Sequence, residues 1–181
     1  MIRRQMLTAL AATAFVPALL SASQLFAATG KMGEAEKKHA DMTKTVGSLS
    51  LATSRLAVAR ANADMVKLFA KFEVAEQETI ADILKSMEME KSEGALKVPT
   101  EAEVEAVLDP AGKEVLATLK GLNGSGFDKA YVAAQLDGHK KLLAIQEDYL
   151  KVGQNREHLS VAKLARGMID EHLDHLKMLK A

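Results

Sequence analysis

Apolar residues return every third or fourth position along four separate stretches of this chain, and no comparable stretch alternates apolar and polar residues as a strand would. The first stretch, about 34–61, lines up Met42, Val46, Leu49, Thr53 and Leu56. The second, about 63–90, lines up Val66, Phe69, Glu73, Gln77, Ile80, Leu84 and Met87. A third opens near Phe127-Asp128 and carries Val132, Leu136, His139, Leu143, Gln146 and Leu150 before Gly153 ends it. Asn155 is a good N-cap for the fourth, which stripes Ala162, Ala165, Ile169, His172, Leu176 and Leu179. A helix with one apolar face must bury it, and four of about 25 residues bury theirs against each other. The prediction is an all-α antiparallel four-helix bundle.

The connection between the second and third stretches is long. Pro99 stops the second helix from continuing, Thr100-Glu101-Ala102-Glu103 is a capping box, and Asp109-Pro110 opens another amphipathic piece. Gly121-Leu122-Asn123-Gly124-Ser125-Gly126 then breaks the chain. The connector therefore carries short helices, either as a crossover along the bundle or as a side excursion.

Residues 1–27 have a different character. Arg3 and Arg4 precede an uncharged run from Leu7 to Leu20, and small residues follow at Ser21-Ala22-Ser23 and Ala27-Ala28. That is the layout of a signal peptide, too short and too rich in Ala and Thr for a membrane span. Arg3-Arg4-Gln5-Met6-Leu7 also resembles a twin-arginine export signal, so both the general and the twin-arginine routes stay open. The expected mature chain is a single helical-bundle domain over 28–181, periplasmic, with no stable membrane insertion after signal cleavage. Removing Arg3 and Arg4 takes the basic count from 24 to 22 against 24 acidic residues, a net charge of −2. Such a balance argues against nucleic acid, which needs a basic patch. There is no cysteine, hence no disulfide framework, thiolate metal site or thiol nucleophile.

Polar residues interrupt the apolar stripes at corresponding places: Glu73 and Gln77 on the second helix, His139 on the third, His172 on the fourth and Thr53 on the first. Buried carboxylates are costly unless paired, so these groups are expected to share a layer. With a crossover connection, Glu73, His139 and His172 fall at depths of roughly 16, 18 and 12 Å from one end, by the rise per residue; an up-down arrangement levels Gln77, His139 and His172 instead, so depth alone does not choose the topology. Two readings follow. One is a hydrogen-bonded layer that fixes helix register. The other is a metal site at Glu73, His139 and His172, for iron, manganese or zinc, with His175 or Glu76 as auxiliaries. A carboxylate-bridged pair of metals is disfavoured: the sole Glu-x-x-His, Glu36 to His39, precedes the strong stripe and is expected to be solvated. His175 is expected at the rim, His158 exposed, and Met65, Met87, Met89, Met168 and Met178 in the core.

The stretches Leu68-Phe69-Ala70-Lys71, Phe127-Asp128-Lys129-Ala130-Tyr131-Val132, Asp137-Gly138-His139 and Asp170-Glu171-His172-Leu173 are similar to the exported bacterial family labelled domain of unknown function 4142. The resemblance runs from about Met42 to Leu179. It implies a ferritin-like bundle in the bacterial envelope without an established activity. It also implies an acid–histidine pair on the second helix, which aligns here with Glu76-Gln77, so this chain lacks one of three family histidines. The expected role is a non-catalytic accessory or stress-related envelope protein, without a cofactor, and with a second copy or another envelope protein as partner. The alternatives are the metal-binding or redox protein just described and a carrier of a small apolar ligand.

Overall fold

Local signals set where each helix begins. The computed structural model describes residues 32–89 and 94–180, in six helices with no strand among them. The expected signal peptide at 1–27 lies outside the described residues. Thr100 and Glu103 form the anticipated capping box: the Glu103 amide donates to Thr100 Oγ1 at 3.3 Å and the Thr100 amide to Glu103 Oε2 at 2.8 Å. They open the short helix α3, Glu101–Ala106. Asp109 accepts from the Gly112 amide at 2.6 Å and, with Pro110 in the first position, opens α4, Pro110–Lys120.

The long helices are α1, Glu34–Arg60; α2, Asp64–Ser86; α5, Gly124–Val152; and α6, Arg156–Lys180. Their starts are satisfied in different ways. Asn155 Oδ1 accepts from the amides of Glu157 and His158 at the head of α6. The free amides of Asn62 and Ala63, at the head of α2, donate to the Asp128 carboxylate from α5, at 2.9 and 2.8 Å. The α5–α6 turn donates the Gln154 and Asn155 amides to Glu36 of α1, at 3.2 and 3.3 Å. Unsatisfied helix-start amides carry partial positive charge, so each of these two carboxylates both caps and fastens helices together.

Side-chain contacts give the helix directions. Gln146 meets His39, Gln135 meets Ser50, and Asp128 meets Asn62, so α5 runs antiparallel to α1. Glu73 meets Ser50 while Gln77 lies against Gly47, so α2 also runs antiparallel to α1. Glu147 pairs with Arg166 and His139 faces His172, which sets α6 against α5. It follows that α2 and α5 run the same way and that the segment between them is a crossover. It travels back along α1, where Arg55 donates to the Pro99 carbonyl and Arg60 to the Lys120 carbonyl.

The interior has two apolar clusters. One gathers Phe69, Phe127, Tyr131 and Leu176; the other gathers Leu142, Ala165, Ile169 and Leu173. Burying each large apolar side chain contributes about 1.5–3 kcal/mol relative to exposure. Polar residues of α1, α2, α5 and α6 lie between the clusters.

Some expectations are corrected. Helix α5 begins at Gly124, earlier than Phe127-Asp128, with Gly124 itself at φ +58, a region that suits glycine. Met42 is 43% exposed; the buried residues of α1 include His39, Ala40, Thr43, Ser50, Leu51, the expected Thr53, Ser54 and Ala57. Small polar residues let α2 and α5 approach α1 closely, and the larger apolar groups flank them. Met65, Met89 and Met178 are exposed rather than core filler. No helix of the described residues is long and apolar enough to cross a membrane.

Candidate metal centre

Glu73, His139 and His172 come from α2, α5 and α6, and all three are buried. Glu73 Oε2 lies 3.3 Å from His139 Nε2 and 3.0 Å from His172 Nδ1, and the two ring nitrogens lie 3.1 Å apart. Three donor atoms thus form a nearly equilateral triangle. Donors about 2.1 Å from one ion would be about 3.0 Å apart at right angles and about 3.4 Å apart at tetrahedral angles. The triangle has the dimensions of one face of a first-row metal's coordination sphere.

The far side of each ring fixes what points inward. His139 Nδ1 is 2.8 Å from the Gln135 carbonyl oxygen, which can only accept, so Nδ1 carries the proton. His172 Nε2 is 3.0 Å from Glu76 Oε2, again an acceptor. A neutral ring protonated on its outer nitrogen turns a lone pair inward. In their neutral forms both histidines therefore present lone pairs toward the carboxylate. This is the usual outer support of metal-binding histidines, one on a backbone carbonyl and one on a carboxylate.

The Glu73 carboxylate is held from the other side. Its Oε1 accepts from Ser50 Oγ at 2.5 Å and from Gln77 Nε2 at 3.0 Å. Gly47 leaves room beside the Gln77 amide, whose oxygen a Cβ there would approach to 2.6 Å. Ser50 also faces Gln135 Oε1 at 2.6 Å, and Gln135 Nε2 donates to Thr53 Oγ1 and Ser54 Oγ. Oε2, in contrast, is fully buried and accepts no well-formed hydrogen bond. An orphaned carboxylate oxygen between two imidazole nitrogens is where a positive charge belongs.

Electrostatics agree. Burial alone would raise the Glu73 pKa, but the adjoining His139 and His172 imidazoles hold it well below the usual carboxylate range. Burial alone would lower His172, yet Glu73 and Glu76 raise it to about 10. The pocket thus draws one positive charge, carried either by a proton on His172 or by an ion.

Sequence spacing therefore brings the three principal residues together, with Thr53 and Gln77 beside them. Glu76 meets His172 as an outer partner, whereas His175 is half exposed and lies near Glu171 instead. Ser50, Ser54, Gln135 and Tyr131 were missed. Tyr131 is buried with its hydroxyl 2.8 Å from Ser54 Oγ, and burial raises its pKa.

A second polar cluster overturns two expectations: Glu36 and His39 are buried rather than solvated, and His158 is buried rather than exposed. The cause is Tyr149 of α5. Its ring stacks on His39 at 4.3 Å and lies against Gly153, where a Cβ would come within 2.4 Å of it. Its hydroxyl donates to Glu36 Oε1 at 2.9 Å. His39 Nε2 is 2.7 Å from Gln146 Oε1, and His158 Nδ1 is 3.5 Å from His39 Nδ1. Burial lowers the pKa of both histidines. Because Glu36 serves amides and a phenol, Glu36-x-x-His39 does not supply a second carboxylate to the Glu73 layer.

A family model described as Domain of unknown function (DUF4142) matches residues 21–179. No curated protein and no solved structure matches the chain.

Proposed function

From the premise that the chain belongs to the DUF4142 family, we propose that it is an exported, periplasmic, ferritin-like bundle holding one divalent transition-metal ion at Glu73, His139 and His172. The parallel course of α2 and α5 supports the ferritin-like arrangement, and the leader-like residues 1–27 support export. The observation that carries the metal reading is the triangle of Glu73 Oε2, His139 Nε2 and His172 Nδ1, with edges of 3.0–3.3 Å. Two imidazoles and a carboxylate on one face suit iron, manganese or zinc. The remaining ring nitrogens are tied to the Gln135 carbonyl and Glu76, and Ser50 and Gln77 hold the carboxylate, so little reorganisation is needed to accept an ion.

One ion, rather than a carboxylate-bridged pair, is favoured because Glu73 is the one buried carboxylate of the layer among the described residues. The cleft over the layer is only about 20 Å³, which at this place favours an ion over a carried apolar ligand. An accessory or stress-related role in the envelope is consistent with such a site. A second reading, a proton-filled layer that sets helix register, draws support from His172 standing between Glu73 and Glu76.

Elemental analysis of the mature protein purified from the periplasm separates the two. The metal reading expects about one equivalent of iron, manganese or zinc, lost in the His139→Ala, His172→Ala double variant. Under about a tenth of an equivalent in wild-type protein, unchanged after incubation with each metal, would leave the register layer as the function of these residues.

A further inference from the structure

The residues one helical turn from each metal-site residue differ sharply on the two sides of the layer. On one side Phe69, four residues before Glu73, closes the space: its ring centroid is 5.3 Å from that of His172 and 6.1 Å from that of His139. On the other side stand Gln77, four residues after Glu73, and Leu142, three after His139. Ile169, three before His172, joins them because α6 runs against α2 and α5. These three border a small open cleft that His139, His172, Thr43, Ala165 and Met168 also line.

Resting on the metal reading, we infer that this cleft is the ligand position of the ion, and that it admits an uncharged or singly charged ligand of one or two heavy atoms, from water to a diatomic such as dioxygen. Three protein donors on one face leave the opposite coordination positions to something else, and Phe69 fills the space on one side of the layer. An ion held by the triangle thus turns its remaining positions to the cleft. The cleft volume is about 20 Å³; one water needs roughly 10–15 Å³ measured in this way. That size selects against anything much larger than two heavy atoms. Leu142, Ala165, Met168 and Ile169 make most of the wall apolar. Polar contact comes from the Gln77 and Gln146 amides and the Thr43 hydroxyl, whose oxygen already accepts from Gln146 Nε2 at 3.2 Å. Beyond the two histidines, the one charged side chain among the described residues that borders the space is the Glu76 carboxylate, so the cleft is unsuited to a multiply charged anion such as phosphate.

The test uses mature protein loaded anaerobically with ferrous iron, with nitric oxide as a diatomic probe and imidazole as a bulky one, read by electron paramagnetic resonance and visible absorption. Wild-type protein should form a nitric oxide adduct on most of its iron and show no change with imidazole. Ala165→Leu and Met168→Phe, which fill the cleft without touching a donor atom, should keep their iron and bind nitric oxide about tenfold more weakly or worse. Met168 is only partly buried, so its variant is expected to fold even if the Ala165 variant does not. Iron retained without a nitric oxide adduct would overturn this inference and leave the metal function standing. Imidazole binding as readily as nitric oxide would overturn the size limit, and cleft-filling variants that bind nitric oxide normally would overturn the location. A wild-type protein that takes up no iron, manganese or zinc would instead overturn the metal reading itself.

Discussion

Replacing Glu73 with glutamine keeps the side chain's length and its contact with Ser50, but removes the charge from the oxygen that lies 3.0 and 3.3 Å from the two imidazoles. The consequence is clearest in how much a metal stabilises the fold. Zinc is a suitable probe because it has no redox chemistry. At a free concentration about one hundred times its dissociation constant, an ion that binds only the native state stabilises it by about 2.7 kcal/mol. For a domain of about 150 residues, each kcal/mol moves the thermal midpoint by about 2–4 °C, so zinc should raise the wild-type midpoint by about 5–11 °C. If losing the carboxylate weakens binding about a hundredfold, the same free zinc only equals the new dissociation constant. Its contribution then falls to about 0.4 kcal/mol, a rise of about 1–2 °C. The assay is thermal unfolding followed by circular dichroism, with and without zinc, for both proteins. The difference within each protein is the readout, because Glu73→Gln also lowers the metal-free midpoint by leaving His172 without its buried partner. A zinc-induced rise as large in Glu73→Gln as in wild type would refute the assignment.

Glu76→Gln should retain full metal stoichiometry at saturation but bind the ion about 10–100-fold more weakly, since Glu76 orients His172 from outside; competition with a chelator measures this. Glu36 is held to about 2, against an ordinary value near 4.5: burial would raise it, but the Gln154 and Asn155 amides and the Tyr149 hydroxyl lower it further. Its pKa is depressed in the folded state, so its contribution is present above pH 4.5 and lost as pH falls toward 2. Denaturant unfolding of wild type and Glu36→Gln should accordingly differ at neutral pH and converge in acid. His172 works with the opposite sign: raised to about 10, it supports the metal-free fold fully below about pH 6.5 and loses that contribution as pH rises through 10. Zinc should abolish that alkaline loss, as an unfolding series from about pH 6 to 11 would reveal.

What was legible in the sequence depended on contrast. On α6 a polar residue among Ala162, Ala165, Ile169 and Leu176 stands out, and His172 lies where the spacing puts it. Depth along the helices groups His172 with His139 in either topology, and with Glu73 once α2 and α5 run the same way, because the rise per residue is nearly constant. On α1 the contrast fails. Its buried line is Thr43, Ser50, Thr53 and Ser54, residues as common on surfaces as at close helix contacts, so the apolar neighbours Met42, Val46 and Leu49 drew the stripe one step aside. Ser50 belongs to the same low-contrast line. Gln135 was overlooked beside the apolar Leu136, although it stands four residues before His139 and so on the same face of α5. Glu36, His39 and His158 escaped because they sit among charged residues near helix starts. They are buried by Tyr149 and by the free amides of the α5–α6 turn, partners more than a hundred residues from Glu36 in sequence. The Asp128 contact that fastens the head of α2 to α5 is likewise invisible until the crossover sets those two helices parallel, with the start of each at the same end of the bundle.

The most direct measurement is anomalous X-ray scattering from crystals of the mature protein grown with zinc and recorded on both sides of the zinc absorption edge. One anomalous peak is expected about 2.1 Å from each of Glu73 Oε2, His139 Nε2 and His172 Nδ1, displaced from their plane toward Gln77. A clean map at that position with zinc bound elsewhere, or no zinc bound at all, would contradict the metal assignment.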